Sequence, residues 1–269
     1  MKVIYMHGIG AHNRSDKLDW DLALFGRDMG AQTMFAYWSD LRPLDFSTFA
    51  VDFSTAKALH DSLPNERLYK LATDLAADLR QVKAMTVKPD EKFPDVPDAV
   101  ADAILKLLLK DVGIYFFDAT RRSEIKARLL ALLTDGEEYI VIGHSMGSVI
   151  TYDVLRTFAG SAVSVPLYLT LGSPLGLPTI QRHLKVLAEL SEVDKLPYPI
   201  KPGQWHNFAS YGDPVCSDMT LANEFAVAAG QTILDHQVVN PDVFVLDPHS
   251  VTGYLSLAMV KETVSEFIS

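Results

Sequence analysis

Tyr139-Ile140-Val141-Ile142-Gly143-His144-Ser145-Met146-Gly147-Ser148-Val149-Ile150 is the stretch from which the rest of the chain is best read. The apolar, mostly β-branched run at its start is satisfied only as a strand inside a sheet. The chain then turns abruptly between Gly143 and Gly147, and Ser148 to Phe158 has helical length with an apolar stripe. Glycines at 143 and 147 are expected where a strand reverses into a helix and leaves no room for a Cβ. Such a turn lifts the Ser145 hydroxyl above the sheet, with the first turn of a helix behind it. This is the strand–turn–helix setting that a G-x-S-x-G nucleophile turn requires. The competing reading is a plain βα turn.

Working outward, Lys2 to Met6 reads as a first strand that ends in His7-Gly8-Ile9-Gly10. Glycines at alternate positions let that loop turn sharply and present a backbone amide to a developing oxyanion, or form an ordinary Gly-rich turn. Asp16 to Met29 has a helical stripe and Thr33 to Trp38 a strand pattern. Strand signals then vanish from Pro43 to Phe117, where helical stretches run over Thr55–Leu63, Glu66–Met85 and Asp98 to about Lys110. A charge- and proline-rich break, Lys88 to Pro97, divides them. Residues 43–117 are therefore expected to be a helical insertion, a cap or lid, in a core built from 1–42 and 118–269. The dense apolar run from Ile104 to Phe117 suits either core packing or a lid face lining a greasy pocket.

Downstream, Arg121–Leu133 reads as a helix, Pro166–Leu171 as a strand, Thr179–Glu192 as a helix and Trp205–Tyr211 as a strand. A helix is expected from about Met219 to Ala229, then a hairpin or edge strand within Ile233–Leu246, then an amphipathic helix from Ser250 to Ile268. Strands alternating with helices imply an α/β fold with a parallel sheet, whose ligands sit beyond the C-terminal strand ends. Gly8, Ser145, Ser173, Asp213 and His249 all fall just after candidate strands.

A serine hydroxyl is a poor nucleophile without a base, and that base is best a histidine oriented by a carboxylate. The chain order Ser…Asp…His selects Asp213, in the Gly212-Asp213-Pro214 turn, over Asp242 and Asp247. It selects His249, in a loop at the entrance of the last helix, with His236 as the rival. His7 and His144 belong to the turns themselves and are expected to hold backbone. The oxyanion would be met by the amides of Ile9 and of Met146, the residue after the nucleophile. No metal or nucleotide motif is present, so no cofactor is expected.

Composition sets limits on partners. The 269 residues fit one large α/β domain, or a core with an inserted cap, and 48% hydrophobic content supports a substantial core. A formal net charge of −10 argues against nucleic acid and against strongly anionic ligands. Cys216 is the single cysteine, so no intrachain disulfide can form. Val3 to Met6 is too short for a signal-peptide core, and no stretch has the length of a membrane span. A soluble, cytoplasmic protein is the expectation.

With those pieces in hand, the chain resembles the α/β-hydrolase superfamily, in particular its lipase- and esterase-like members. The matching segments are Met6-His7-Gly8-Ile9-Gly10, Gly143-His144-Ser145-Met146-Gly147, Gly172-Ser173-Pro174, Gly212-Asp213-Pro214-Val215 and Pro248-His249-Ser250. The resemblance implies a Ser145–Asp213–His249 triad, an oxyanion hole at Ile9 and Met146, and no cofactor. The expected activity is hydrolysis of a neutral or hydrophobic small-molecule ester through an acyl-enzyme, with a thioesterase, a lipase or an acyltransferase using the same triad, or a non-catalytic binding protein of the same fold, as the alternatives. The chain departs from it by opening directly at the His-Gly strand, without the two antiparallel strands that often come first. Residues 43–117 match no identified cap, which leaves the substrate open.

Overall fold

Six strands form the central sheet of the computed structural model: β1 (Lys2–Met6), β2 (Thr33–Ala36), β3 (Glu138–His144), β4 (Ser164–Leu171), β5 (Gln204–Ser210) and β6 (Ile233–Val238). The structure describes residues 1–42, 56–63, 65–85, 98–157, 162–200, 203–216, 218–245 and 247–268. The Lys88–Pro97 break, residues 43–55 at the start of the expected insertion, and Phe158 lie outside them.

The strand order is β2-β1-β3-β4-β5-β6, and every neighbouring pair is parallel. The chain steps from β1 to β2 on one side, crosses over β1 to reach β3, and then moves steadily outward to β6. The order therefore reverses between β1 and β3, and open α/β sheets gather ligands at such a point, beyond the C-terminal strand ends. His7–Gly10 and Gly143–Gly147 occupy those two ends.

The helices are α1 (Asp16–Phe25), α2 (Ala56–Ser62), α3 (Glu66–Met85), α4 (Asp98–Phe117), α5 (Ala119–Leu130), α6 (Met146–Leu155), α7 (Pro178–Leu187), α8 (Val251–Ser256) and α9 (Ala258–Ile268). They cover both faces of the sheet because its strands send alternate side chains to opposite sides. Ile4, Met6 and Val141 join one buried cluster with Val149 and Ile150 of α6, Leu71 and Leu75 of α3, and Leu108, Leu109 and Val112 of α4. Val3, Tyr5, Ile140 and Ile142 join the other, with Trp20 and Leu24 of α1, Tyr254 and Leu255 of α8, and Val260 and Val264 of α9. Complete burial of Ile140, Val141 and Ile142 contributes about 2 kcal/mol for each side chain. That is why the middle of β3 has no polar side chain on either face.

Three elements differ most from the sequence reading. No helix forms over Met219–Ala229; the segment is turns plus the short strand Phe225–Ala226, which pairs with Leu196–Pro197. The Asp235 carboxylate of β6 accepts the amides of Leu221 and Ala222, Asp218 Oδ1 accepts the amide of Thr220, and the Glu224 amide closes on Leu221 O, so the segment is fixed as a turn that leads into the short strand. The terminal helix is broken at Leu257, whose ψ of 132° ends α8 before α9 begins. Within the expected Ile233–Leu246 stretch, Ile233–Val238 forms edge strand β6, parallel to β5, and Leu246 lies outside the described residues. The helix expected to end near Lys110 continues to Phe117. Gly113 inside it is a contact residue: a Cβ there would lie 2.7 Å from Leu68 Cδ2 of α3. Among the described residues no helix is long and apolar enough to cross a membrane.

Candidate active site

β3 ends at His144 and α6 begins at Met146, so Ser145 stands alone between them. Its backbone takes φ 53° and ψ −130°, and conformations of this kind cost a non-glycine residue on the order of 1–3 kcal/mol. The strain is held by a dense set of bonds. Ser145 N–H donates to Leu171 O at 2.9 Å, while the Ser148 amide and hydroxyl donate to Ser145 O at 2.9 and 2.6 Å. Ser148 Oγ also lies 2.6 Å from Ser173 Oγ, tying the turn to the end of β4. The motif glycines are required by close approach. A Cβ at Gly147 would sit 2.2 Å from Met6 O, and one at Gly143 would sit 2.7 Å from Ser148 Cα.

The loop after β1 abuts this turn. A Cβ on Gly8 would lie 2.4 Å from Ser145 Cβ and 2.8 Å from His144 O. Ile9, the next residue, is buried. Met146 is the first residue of α6, so its amide has no acceptor within the helix. These two amides come from separate elements that meet beside Ser145.

His249 reaches the same end of the sheet from the loop before α8. Its Nδ1 lies 2.8 Å from Asp213 Oδ2. That oxygen also accepts the Tyr254 hydroxyl at 2.7 Å, and Asp213 Oδ1 accepts the Val215 amide at 2.9 Å. A carboxylate opposite Nδ1 places the imidazole proton on that nitrogen and leaves Nε2 free to accept one. His144 donates from Nε2 to the His249 carbonyl at 2.9 Å, so the residue beside the serine fixes the backbone of the histidine. Gly172, at φ 53°, lies beneath this group: a Cβ there would sit 2.8 Å from Asp213 Oδ2 and 3.1 Å from His249 Cε1. Ser145 Oγ and His249 Nε2 are both buried, and neither has a hydrogen-bond partner among the described residues, each other included.

The rival residues are engaged elsewhere. His249 Nδ1 bonds to Asp213, not to Asp242 or Asp247. His236, on β6, faces His206 with Nε2 at 3.0 Å from the latter's Nδ1. His7 accepts the Trp38 amide at Nε2, at 3.0 Å, and its Nδ1 lies 3.1 Å from Gly8 O. Burial holds the imidazoles of His7 and His144 well below their usual range, so both stay neutral near pH 7. Cys216 is buried, and burial together with the Asp213 charge pushes its thiol well up, away from nucleophilic use. Among the described residues no group of three or more His, Cys, Asp or Glu side chains is arranged to hold a metal ion.

The sequence reading missed three supports. Tyr254 holds the acid from the helix that follows the histidine. Arg42 and Asp111 form a largely buried fork-to-fork ion pair, Nε to Oδ1 at 2.9 Å and Nη2 to Oδ2 at 2.6 Å, against the loop that carries Ile9. Ser148 carries the bonds that hold the strained serine. Only the last had a local signal, being the polar residue that follows Gly147. Comparison of the chain with protein-family models and with curated proteins finds no match.

Proposed function

We propose that the protein is a serine hydrolase of the α/β-hydrolase type that cleaves a neutral or hydrophobic carboxylic ester through an acyl-enzyme. One observation carries the reading. A strained, buried serine and a histidine oriented by a buried carboxylate share one sheet end, and the two atoms that a proton would pass between, Ser145 Oγ and His249 Nε2, are without partners among the described residues. Supporting it are the order Ser145…Asp213…His249, the parallel sheet with its reversal at β1 and β3, and the close approach of the loop carrying Ile9 to the Ser145 turn. The net charge of −10 favours a neutral substrate over an anionic one.

In the proposed reaction Ser145 Oγ bonds to the ester carbonyl carbon and its proton passes to His249 Nε2. The carbonyl π-electrons move onto oxygen, where the Ile9 and Met146 amides meet the charge. Asp213 stays ionised and stabilises the imidazolium. Collapse breaks the bond to the alkoxy group, which leaves as the alcohol with the proton from His249. Water then attacks the acyl-enzyme, giving up a proton to His249, and the second collapse returns that proton to Ser145 as the acid departs.

The test is labelling by a fluorophosphonate probe, with turnover of p-nitrophenyl esters of increasing chain length, in wild type, Ser145→Ala and His249→Ala. Stoichiometric labelling in wild type that vanishes in Ser145→Ala is expected. Ester turnover should fall about 10⁴-fold or more in either variant. Folded wild type that neither labels nor turns over any ester of the series would overturn the reading.

A further inference from the structure

We infer that Arg42 and Asp111 are a positioning pair whose task is to fix the Ile9 amide at the oxyanion site. The inference rests on the hydrolase reading above and adds to it a role for α4. A Gly-rich loop is a poor support for such an amide. Gly10 sits at φ 86° with open space where a Cβ would be, and glycine carries the largest freedom of any residue. An oxyanion donor, by contrast, has to stand within a few tenths of an ångström of its place.

The structure anchors the loop on both sides of Ile9. On the near side, His7 is gripped at its ring and its carbonyl by Trp38, whose amide and indole N–H each donate at 3.0 Å. On the far side, both backbone groups of Gly10 are taken. Its N–H donates to Asp111 Oδ2 at 3.2 Å, and its carbonyl accepts Arg42 Nη1. Arg42 in turn lies over the Trp38 ring, 4.7 Å from its centre, and that ring stacks on His7 at 5.0 Å. The pair spans 69 residues of sequence, and Asp111 reaches the loop from near the far end of the expected insertion. An ion pair that served only to dock α4 would have no need to close on the N–H and the C=O of one glycine beside the site.

The experiment uses full-length wild type, Asp111→Asn and Arg42→Lys, with a p-nitrophenyl ester as substrate and an aryl trifluoromethyl ketone as reversible inhibitor. The ketone adds to the serine and places an oxyanion where the intermediate has one; the ground-state ester does not. Asp111→Asn keeps the shape but loses the charge, and Arg42→Lys keeps the charge but loses the fork. Asp111→Asn is expected to lower kcat ten- to a hundredfold, the scale of a displaced catalytic group, with KM within about threefold. The ketone's affinity should weaken by the same factor as kcat/KM. Arg42→Lys should show the same parallel loss at smaller size, and it carries the test should Asp111→Asn fail to fold. Folded variants with kcat and ketone affinity both within twofold of wild type would overturn the inference while leaving the hydrolase reading intact. Absence of labelling and turnover in wild type would remove both.

Discussion

The turn at Gly143–Gly147 and the loop at His7–Gly10 leave neighbouring strands at the same end of the sheet, but they are held by opposite means. The turn is held largely from within: Ser148 closes on the Ser145 carbonyl and α6 begins in the next residue, with the adjoining end of β4 adding only Leu171 O and Ser173 Oγ. The loop is held from outside, by Trp38, Arg42 and Asp111, the last of which lies 101 residues away from Gly10. A strained conformation that must carry a nucleophile gains from support that forms with its own backbone. A loop that presents only an amide can take its shape from distant side chains, and its geometry then depends on whatever element supplies them.

The difference is broken most severely at Gly147. An alanine there would drive its Cβ to 2.2 Å from Met6 O and 2.6 Å from His7 O, both of them backbone atoms of the adjoining strand end. Overpacking against atoms that cannot rotate away is expected to cost about 3 kcal/mol or more. Denaturant melts of Gly147→Ala should show that loss, together with loss of fluorophosphonate labelling. A variant of normal stability would mean that the two strand ends are less tightly joined than their contact distances require.

The outside support differs in a second way, because it titrates. Burial pushes the Asp111 carboxyl up to about 6, with Arg42, the Gly10 amide and Lys110 pulling it back. A folded value above the unfolded one gives stability that is complete below the unfolded value near 3.8 and is lost as pH rises through about 6. The ionised pair therefore costs the fold up to about 3 kcal/mol at neutral pH, relative to acid. Urea melts of wild type and Asp111→Asn between pH 4 and 7.5 measure it. The wild-type stability minus that of the variant should fall as pH rises through this window, and a flat difference would show that Arg42 fully offsets the burial of the carboxylate.

The same contrast decides what could be read from the sequence. Gly143, Ser145 and Gly147 are legible because the steric demand of the turn is local and leaves its mark within five residues. Asp213 and His249 are legible at one remove, since strand ends and chain order place them. Arg42 and Asp111 are not. Arg42 stands before a proline, in what reads as a loop, and Asp111 looks like a polar break in the apolar run that continues to Phe117; nothing near either announces the other. The expected helix at Met219–Ala229 failed for a related reason, since Asp235 of β6 fixes Leu221 and Ala222 in a turn and Phe225–Ala226 pairs with Leu196–Pro197. The apolar run from Ile104 to Phe117 allowed core or lid. Leu108, Leu109, Val112, Tyr115 and Phe116 are buried in the cluster that also contains Met6 and Val149, so these side chains pack as core.

Tyr254 extends the outside support to the acid. Its hydroxyl donates to Asp213 Oδ2 at 2.7 Å and accepts the Ser210 amide at 3.1 Å. Tyr254→Phe would strand a buried amide and strip one donor from the carboxylate, for an expected loss of about 2 kcal/mol. Without the phenol the carboxylate loses the donor that fixes Oδ2 opposite His249 Nδ1, and kcat should fall about tenfold. A stability loss with kcat unchanged would make the tyrosine a packing residue only.

Gly10→Ala separates conformation from clamp, and its effect should be the smallest. Its φ of 86° is unfavourable for alanine, but the space around it is open, unlike that at Gly8, where a Cβ would meet Ser145 Cβ at 2.4 Å. The cost is therefore strain alone, about 1–2 kcal/mol. Because Arg42 and Asp111 hold both backbone groups of residue 10, an alanine there should be kept in the left-handed conformation, with the loop in place. Thermal melts should register the strain while kcat stays within about threefold of wild type. The converse result, a large fall in kcat without loss of stability, would mean that residue 10 relaxes and takes Ile9 with it. The clamp would then follow the backbone, and the freedom of glycine would be what keeps the amide at its post.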